Sequence, residues 1–457
     1  MNQQTPSPNG TPHRRTFLKT AATAVAAPYF VPASVFGATA PSNRVNLGMV
    51  GLGNQGMLNL KLFLENKDCT VLAVCDVNRG SYGYKEPKDF YGRDPAREMV
   101  EKAYAKKAPG GSYKGCDAYT DFREVLSRDD IDAVVLTTPD HWHGVMTIKA
   151  AEAGKDIYCE KPLGLTIAEQ IAMAESVRKH NRILQTGSHE RSNPVIRSAC
   201  ELVRSGAIGK VHRVVTNVGR HNKVGPGPGW EPMPVPDTLD YDLWLGPAPE
   251  APYHKDRCLY NFRFNYDYAG GQVANFGAHS LDIAQWGLGT DDTGPVQVES
   301  VYADFLPEGS LFNAATYTHF RLKYASGVVV ESMTAEPSVR CLFEGEDGVI
   351  RIDNQARNFV TIPGSIKVEA GLTDVPEQYR SNADHHQNFL DCVRSRKEPN
   401  APVEIGHRSA TLCHLGNIAS RLGGKFGWDP TAQRFTGSRA ETANEMLAVK
   451  QRGVWTV

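Results

Sequence analysis

The segment that most constrains the fold is a glycine-rich turn between an apolar run and a helical pattern. The apolar run covers 45–50, and the turn Gly51-Leu52-Gly53-Asn54-Gln55-Gly56 follows it directly. A stretch with Leu58, Leu60, Leu62 and Leu64 follows and is interpreted as a helix, and a second apolar run, 71–75, ends at Asp76. Strand, glycine turn, helix, strand and acid in this order are typical of a dinucleotide-binding unit.

Each part of this unit has a physical role in holding a dinucleotide. Gly51 permits the tight turn, Gly53 lets the backbone approach the pyrophosphate, and Gly56 lets the helix pack on the sheet. The helix N-terminus presents amide donors and the positive end of its dipole to the phosphates. The Asp76 carboxylate accepts both ribose hydroxyls and repels a 2′-phosphate, so the sequence predicts NAD rather than NADP.

The composition is that of an ordinary soluble globular protein. A length of 457 residues predicts two or three domains, and 41% hydrophobic with 22% charged residues excludes wholesale disorder and a multi-span membrane protein. Lys plus Arg total 50 against 51 Asp plus Glu without a charged block, so nucleic acid is not an expected partner. The nine cysteines include no C-x-x-C pair, so neither a zinc site nor a disulfide framework is predicted.

Residues 1–42 have the features of an export signal and a linker. Arg14-Arg15-Thr16-Phe17-Leu18-Lys19 is followed by an alanine-rich apolar run that ends near Phe36, the order of a twin-arginine signal. This run is shorter than the roughly 20 residues of a spanning helix. We expect the twin-arginine translocase to carry the folded protein to a periplasmic or otherwise extracytoplasmic location. A disordered basic tail is the alternative interpretation.

The rest of the chain divides into two predicted domains. Residues 79–117 are interpreted as a surface insertion with a charged helix near 94–107. The alternation of strands and helices then resumes with a strand at 131–137, a helix from about His141 to Ala153 capped by Asp140, and a strand at 156–159. The predicted class is α/β, with an N-terminal Rossmann domain over 43–165. A C-terminal α+β domain with a large, mostly antiparallel open sheet is predicted over 166–457.

Several motifs resemble those of the Gfo/Idh/MocA family of pyridine-nucleotide oxidoreductases, and the resemblance extends from Asn43 to about Gly424. Besides the glycine turn, they are Thr138-Pro139-Asp140-His141-Trp142-His143, Glu160-Lys161-Pro162, and Gly270-Gly271 followed by Asn275-Phe276-Gly277-Ala278-His279 and Asp282. The resemblance implies an NAD cofactor, a sugar or cyclitol substrate, and a homo-oligomer that uses the open sheet.

Two residues are the predicted catalytic groups. Lys161 follows a strand at the edge where an open α/β sheet binds its ligand, and partial burial lowers a lysine pKa toward the range of a useful base. His279 titrates near neutrality and is suited to relay the proton. Asn275 stands where the family has an aspartate, so it orients the histidine without adding charge, and Asp282 is a candidate for the missing carboxylate.

The remaining site residues fall into two predicted groups. The predicted cofactor-binding residues are Gly51, Gly53, Asn54, Gln55, Gly56, Asp76, Thr138, Pro139, His143, Glu160 and Lys161. The predicted substrate-binding residues are Arg191, Arg220, His221, Tyr260, Arg263, Asn275 and Asp282. No metal site is predicted, and the C-terminal histidines His385, His386, His407 and His414 are expected to be structural.

These observations leave three functions open. The first is an exported NAD-dependent oxidoreductase that acts on a secondary hydroxyl of a sugar, glycoside or cyclitol and holds its cofactor tightly. The second is a redox-neutral glycoside hydrolase or lyase that works through a transient keto-sugar. The third is a non-catalytic sugar-binding module, which the presence of both Lys161 and the glycine turn disfavours.

Overall fold

The computed structural model describes Met1 and residues 44–220, 225–335, 339–366 and 383–455. Apart from Met1, the predicted export signal lies outside the described residues. The chain divides into the units Met1–Arg44 and Val45–Val457, and the elements below all belong to the second unit.

The first sheet has six parallel strands in the order β3-β2-β1-β4-β5-β6. Their bounds are β1 Val45–Val50, β2 Cys69–Cys75, β3 Asp117–Tyr119, β4 Ala133–Leu136, β5 Asp156–Cys159 and β6 Leu184–Thr186. Every residue of the central strands β4 and β5 is buried, as expected for a parallel sheet that is covered on both faces. This strand order is that of a doubly wound dinucleotide-binding fold, which confirms the predicted class.

Helices connect these strands. They are α1 Asn54–Glu65, α2 Arg93–Ala105, α3 Phe122–Leu126, α4 Asp140–Glu152 and α5 Ile167–Lys179. A capping box formed by Thr166 and Glu169 fixes the start of α5. Because β6 follows α5, the sheet continues past the boundary predicted at residue 165.

The structure corrects the interpretation of 79–117 as a surface insertion. Helix α2 is the crossover between β2 and β3, and it buries Ala96 and Val100 completely in the core of the first sheet. The prediction failed because this buried stripe is narrow, so charged residues dominate the helix composition. The stretch 77–92, between β2 and α2, contains neither a helix nor a strand.

The second sheet has nine strands in the order β13-β12-β11-β7-β10-β9-β8-β14-β15. Their bounds are β7 Val211–Asn217, β8 Gln297–Asp304, β9 Tyr317–Lys323, β10 Val329–Met333, β11 Val339–Gly345, β12 Val349–Asp353, β13 Phe359–Ile362, β14 Gly424–Asp429 and β15 Arg434–Thr436. Only β7 and β10 pair in parallel among these described strands, which confirms a mostly antiparallel sheet.

One face of the second sheet is covered by helices. The helices of this part are α6 Pro194–Arg204, α7 Tyr241–Leu245, α8 Gly271–Asn275, α9 Gly277–Leu288, α10 Ala383–Ser395, α11 Val403–Leu422 and α12 Ala440–Glu445. Residues of α6, α9 and α11 share one core with the buried side chains of the sheet. Tyr302 and Tyr317 lie exposed on neighbouring strands with ring centroids 5.5 Å apart.

Two further features bear on the sequence predictions. All nine cysteines are free and buried. In the part of the chain that the structure describes, no helix is both long and apolar enough to cross a membrane.

Candidate active site

A cavity of about 300 Å³ lies at the carboxyl ends of the first sheet, where open α/β sheets bind their ligands. Residues of the loops after β1, β2, β4 and β5 line it together with residues of 243–275. The predicted cofactor-binding residues in its wall are Gly51, Gly53, Asn54, Gln55, Asp76, Thr138, Pro139, Glu160 and Lys161.

The glycine turn has a geometry that side chains would block. Gly51 has a φ of +84°, and a Cβ atom there would lie 2.6 Å from the carbonyl carbon of Thr137. A Cβ atom on Gly56 would collide with the carbonyl oxygen of Gly51, so Gly56 serves helix packing behind the cavity wall. Helix α1 begins after Gly53 without a side-chain cap, which leaves its first amide donors available to a pyrophosphate.

Asp76 is held in the cavity wall by two backbone amides. The N–H of Leu52 donates to Oδ2 at 2.6 Å, and the N–H of Asn78 donates to Oδ1 at 2.8 Å. Burial raises the pKa of Asp76, while these two hydrogen bonds oppose that shift. The oxygens retain lone pairs for two ribose hydroxyls, so the residues present fit NAD.

Lys161 reaches across the cavity wall to the second domain. Its Nζ donates to the backbone oxygen of Asn275 at 2.8 Å and contacts the Oδ1 of the same residue at 3.3 Å. Burial lowers the pKa of Lys161, and the nearby Glu160 carboxylate opposes that shift. Asn275 therefore contacts Lys161 and, through Nδ2, Gln272 at 2.9 Å, rather than orienting His279 as predicted.

Asp140 is a site residue that sequence reasoning assigned to helix capping. Pro139 occupies the N-cap position of α4 and no side chain caps the helix. The Asp140 carboxylate instead lines the cavity, where its Oδ2 accepts from the N–H of Gly270 at 3.4 Å. Burial raises the pKa of Asp140 to about 7, against the lowering effect of the Lys161 charge. The position of Asp140 in the first turn of α4 does not reveal its place in the cavity wall, because its hydrogen-bond partner Gly270 is remote in sequence.

His143 supports the cavity from behind its wall. Its Nδ1 lies 2.8 Å from the carbonyl oxygen of Pro162, and its Nε2 lies 2.9 Å from that of Thr138. The ring is buried, and burial lowers its pKa to about 4. His143 thus joins the loops that follow β4 and β5 and does not itself line the cavity.

His279 lies outside the cavity lining, half-buried on α9. Its ring centroid is 4.9 Å from that of His189. Burial lowers the pKa of His279 well below its usual value, and the positive charge of Lys161 lowers it further, so the imidazole is neutral at neutral pH. Asp282 does not supply the carboxylate that was expected beside it, because that side chain is occupied elsewhere.

The structure places some of the predicted substrate residues in the cavity wall and others away from it. Tyr260, Arg263 and Asn275 line the cavity, and the Arg263 guanidinium lies 3.9 Å from the Tyr260 ring centroid. Arg220 is exposed, and His221 lies outside the described residues.

Arg191 and Asp282 bind each other instead of lining the cavity. The Arg191 Nη2 lies 2.7 Å from the Asp282 Oδ1, and each side chain is 2% exposed. Asp291 pairs with the same guanidinium, and Ser409 donates to Asp282. Their charges are therefore satisfied inside the fold.

Tyr84 is a further cavity residue that the sequence analysis missed. It belongs to the stretch 77–92, and a Cβ atom on Gly53 would lie 2.9 Å from its ring. Its hydroxyl accepts from the Asn78 Nδ2 at 3.1 Å. The Tyr84 ring therefore lies directly against the glycine turn.

The four C-terminal histidines make contacts within the fold. His385 lies 2.9 Å from the carbonyl oxygen of Thr186, and His414 lies 2.9 Å from that of Gly164. His407 contacts two glutamine side chains, and the His386 Nε2 lies 3.3 Å from the Asn59 Oδ1.

The doubly wound sheet, the glycine turn and the acid at the end of β2 define a dinucleotide-binding protein with a second, sheet-based domain. Comparison with known families agrees. Residues 45–188 match the family described as "Oxidoreductase family, NAD-binding Rossmann fold", and residues 196–457 match "Oxidoreductase family, C-terminal alpha/beta domain". The chain belongs to the Gfo/Idh/MocA oxidoreductase family, and NAD is its cofactor.

Curated relatives are similar over parts of the chain. Glycosyl hydrolase family 109 protein 1 from Shewanella sp. (strain ANA-3) is 30% identical over 220 residues, which are 44% of each protein. The scyllo-inositol 2-dehydrogenase (NAD(+)) of Bacillus subtilis is 28% identical over 344 residues, covering 72% of this chain and 87% of the relative. The chain spans about half the length of the first curated relatives that it matches.

Solved structures share the fold. The crystal structure of aldose-aldose oxidoreductase from Caulobacter crescentus, complexed with glycerol, has a TM-score of 0.59 at 21% sequence identity. The alignment covers 84% of this chain and 99% of that one.

Proposed function

We propose that the protein is an NAD-dependent oxidoreductase that acts on a secondary hydroxyl of a sugar, glycoside or cyclitol. The observation that carries the proposal is Lys161, a half-buried amine in the wall of the cavity that also contains Asp76, with a pKa lowered by burial. The inositol dehydrogenase relatives support a polyol substrate.

In this mechanism Lys161 is the general base. NAD, when bound, supplies the acceptor for the hydride that leaves the carbinol carbon. The neutral amine of Lys161 takes the hydroxyl proton, and Asn275 fixes the position of Nζ through two oxygen contacts. The Glu160 carboxylate and Asp140 stabilise the ammonium that forms, because both interact favourably with a positive charge at this position.

Asp140 is suited to carry the proton onward. Its pKa of about 7 lets it exchange protons at neutral pH, and it lines the same cavity as Lys161. Tyr260 and Arg263 complete the polar part of the wall where substrate hydroxyls are recognised.

The proposal includes export and a captive cofactor. The order of Arg14-Arg15 and the following apolar run supports the twin-arginine route, and the translocase is then a transient partner. Since no NAD pool exists outside the cytoplasm, the cofactor must bind during folding and dissociate slowly. The exposed tyrosines of the second sheet support the proposed homo-oligomer.

The second candidate is redox-neutral cleavage, which the glycosyl hydrolase family 109 relatives favour. Transient oxidation next to the cleaved bond would acidify the neighbouring C–H. The chemistry then needs a second base, and the neutral imidazole of His279 is the first candidate.

One experiment separates the two candidates. Protein purified with its cofactor is mixed with a glycoside alone, and both nicotinamide absorbance and sugar release are followed. An oxidoreductase should change its absorbance once and stop, whereas a cleaving enzyme should turn over repeatedly and incorporate solvent deuterium beside the oxidised carbon.

A variant supplies the control for both candidates. Lys161→Met should lower either activity by about 10² to 10⁴ while NAD stays bound, because a positioned base contributes that much. A near-normal rate in Lys161→Met would remove Lys161 from the mechanism. Repeated sugar release by the unmodified protein would replace the oxidoreductase by the cleaving enzyme.

A further inference from the structure

Three side chains with metal-ligating atoms converge outside the cavity lining. They are His189 and Glu190, on the 3₁₀ turn His189–Ser192 after β6, and His279 on α9. Their ligand atoms all lie within 4.8 Å of one another. The His189 Nε2 is 3.8 Å from the Glu190 Oε1, and the two imidazole rings are inclined at 58°.

Both histidines bring a ring nitrogen to the cluster. A neutral imidazole keeps one lone pair, which is the group that binds a metal. The His189 ring also makes a hydrogen bond to the backbone of Gly187. Such a contact on one ring nitrogen leaves the other facing the metal, which is the usual arrangement of a ligating histidine.

His279 lacks a competing partner for its lone pair. Within the described residues its ring makes no side-chain hydrogen bond, although it is half-buried beside a second imidazole. No other described side chain therefore competes for the His279 nitrogen that belongs to the cluster.

The third ligand is a buried carboxylate. Glu190 is 3% exposed. The Arg340 guanidinium lies 3.5 Å from the Glu190 Oε1. Arg340 and Lys161 also repel a cation, so weakly bound oxygen-seeking ions such as Mg²⁺ or Ca²⁺ are disfavoured. Ions with high affinity for imidazole, such as Zn²⁺ or Co²⁺, are favoured.

We propose that His189, Glu190 and His279 form a binding site for one divalent transition-metal ion. Two histidines and one carboxylate leave coordination positions open, as in other sites where a metal meets oxygen ligands of a substrate. Neighbouring hydroxyl oxygens of a polyol are the chemical class that fits these positions. The site goes beyond the proposed function, and metal binding does not depend on it.

The test uses Co²⁺ as the probe. NAD-loaded protein treated with a chelator is titrated with Co²⁺ and followed by visible absorption and by metal analysis after dialysis. We expect one Co²⁺ per chain, with affinity lowered at least about tenfold in both His189→Ala and Glu190→Gln. His212→Ala, which removes an exposed histidine from β7, should bind Co²⁺ like the unmodified protein.

Retained NAD shows that each variant is folded. This measurement does not depend on turnover. Co²⁺ binding that is unchanged in both folded variants, or less than one tightly bound ion in the unmodified protein, would overturn the metal site. Neither result would affect the proposed oxidoreductase, whose test measures the nicotinamide.

Discussion

At the scale of single residues, the contact between Lys161 and Asn275 sets the protonation of the proposed base. The Lys161 Nζ has two oxygen partners on Asn275, and both are neutral. Burial therefore lowers the pKa of Lys161 without a directly bonded carboxylate to restore it. A larger fraction of Lys161 is then neutral at neutral pH than an aspartate at position 275 would allow.

Replacing Asn275 with aspartate tests this argument. An anion within hydrogen-bond distance of Nζ should raise the pKa of Lys161 by roughly one unit or more. A base works in its deprotonated form, so the acid limb of the pH–rate profile should move to higher pH and the rate at neutral pH should fall. The measurement is kcat against pH for both proteins. A limb that stays in place or moves to lower pH contradicts Lys161 as the base, and Asn275→Gln is the uncharged control.

The residues whose roles could be predicted from the sequence are those that belong to a motif with a fixed local spacing. The glycine turn and Asp76 follow from a pattern of about 30 residues, and the structure places Asp76 and most of the turn in the cavity wall. Asp140 and the pair Arg191–Asp282 were assigned other roles because their partners lie 130 and 91 positions away. A single sequence gives no sign of which remote group will neutralise a charge.

At the scale of elements, the stretch 77–92 covers the glycine turn. Tyr84 packs against Gly53, and Arg79 and Asp240 make backbone hydrogen bonds with Thr238 and Val77 that tie this stretch to the second domain. Leu259 and Tyr260 line the cavity from the opposite side. We therefore expect the Tyr84 ring to slow the release of a dinucleotide bound in the cavity.

Shortening the Tyr84 side chain should release the cofactor faster. In Tyr84→Ala we expect the dissociation rate of NAD to rise at least about tenfold, equivalent to about 1.4 kcal/mol. The measurement is loss of bound nicotinamide during dialysis. Tyr82→Ala is the matched control, because Tyr82 lies in the same stretch but is 63% exposed. Equal retention by both variants would show that Tyr84 does not retain the cofactor.

At the scale of the whole molecule, the two sheets differ in how much of them the sequence predicts. The first sheet follows from the alternation of apolar strands and helices, because parallel crossovers place consecutive strands in a known order. The second sheet was predicted as a class, but its strand order was not. β7 pairs with β10 and β11, which are remote in sequence. Short edge strands such as β15 have too few residues to show an alternation of apolar and polar side chains.

At the scale of the whole molecule, the proposed export would couple transport to cofactor loading, since only a folded chain can carry NAD across a membrane. Replacing both Arg14 and Arg15 with lysine should leave the full-length protein in the cytoplasm, because the translocase recognises the arginine pair. The arginine pair lies outside the sequence motifs that are predicted to bind the cofactor, so the retained protein should contain as much NAD per chain as the exported one. Cell fractionation followed by nucleotide analysis of both fractions measures the two quantities together. Export of the double variant would rule out the twin-arginine route, and an exported unmodified protein without NAD would rule out loading before export.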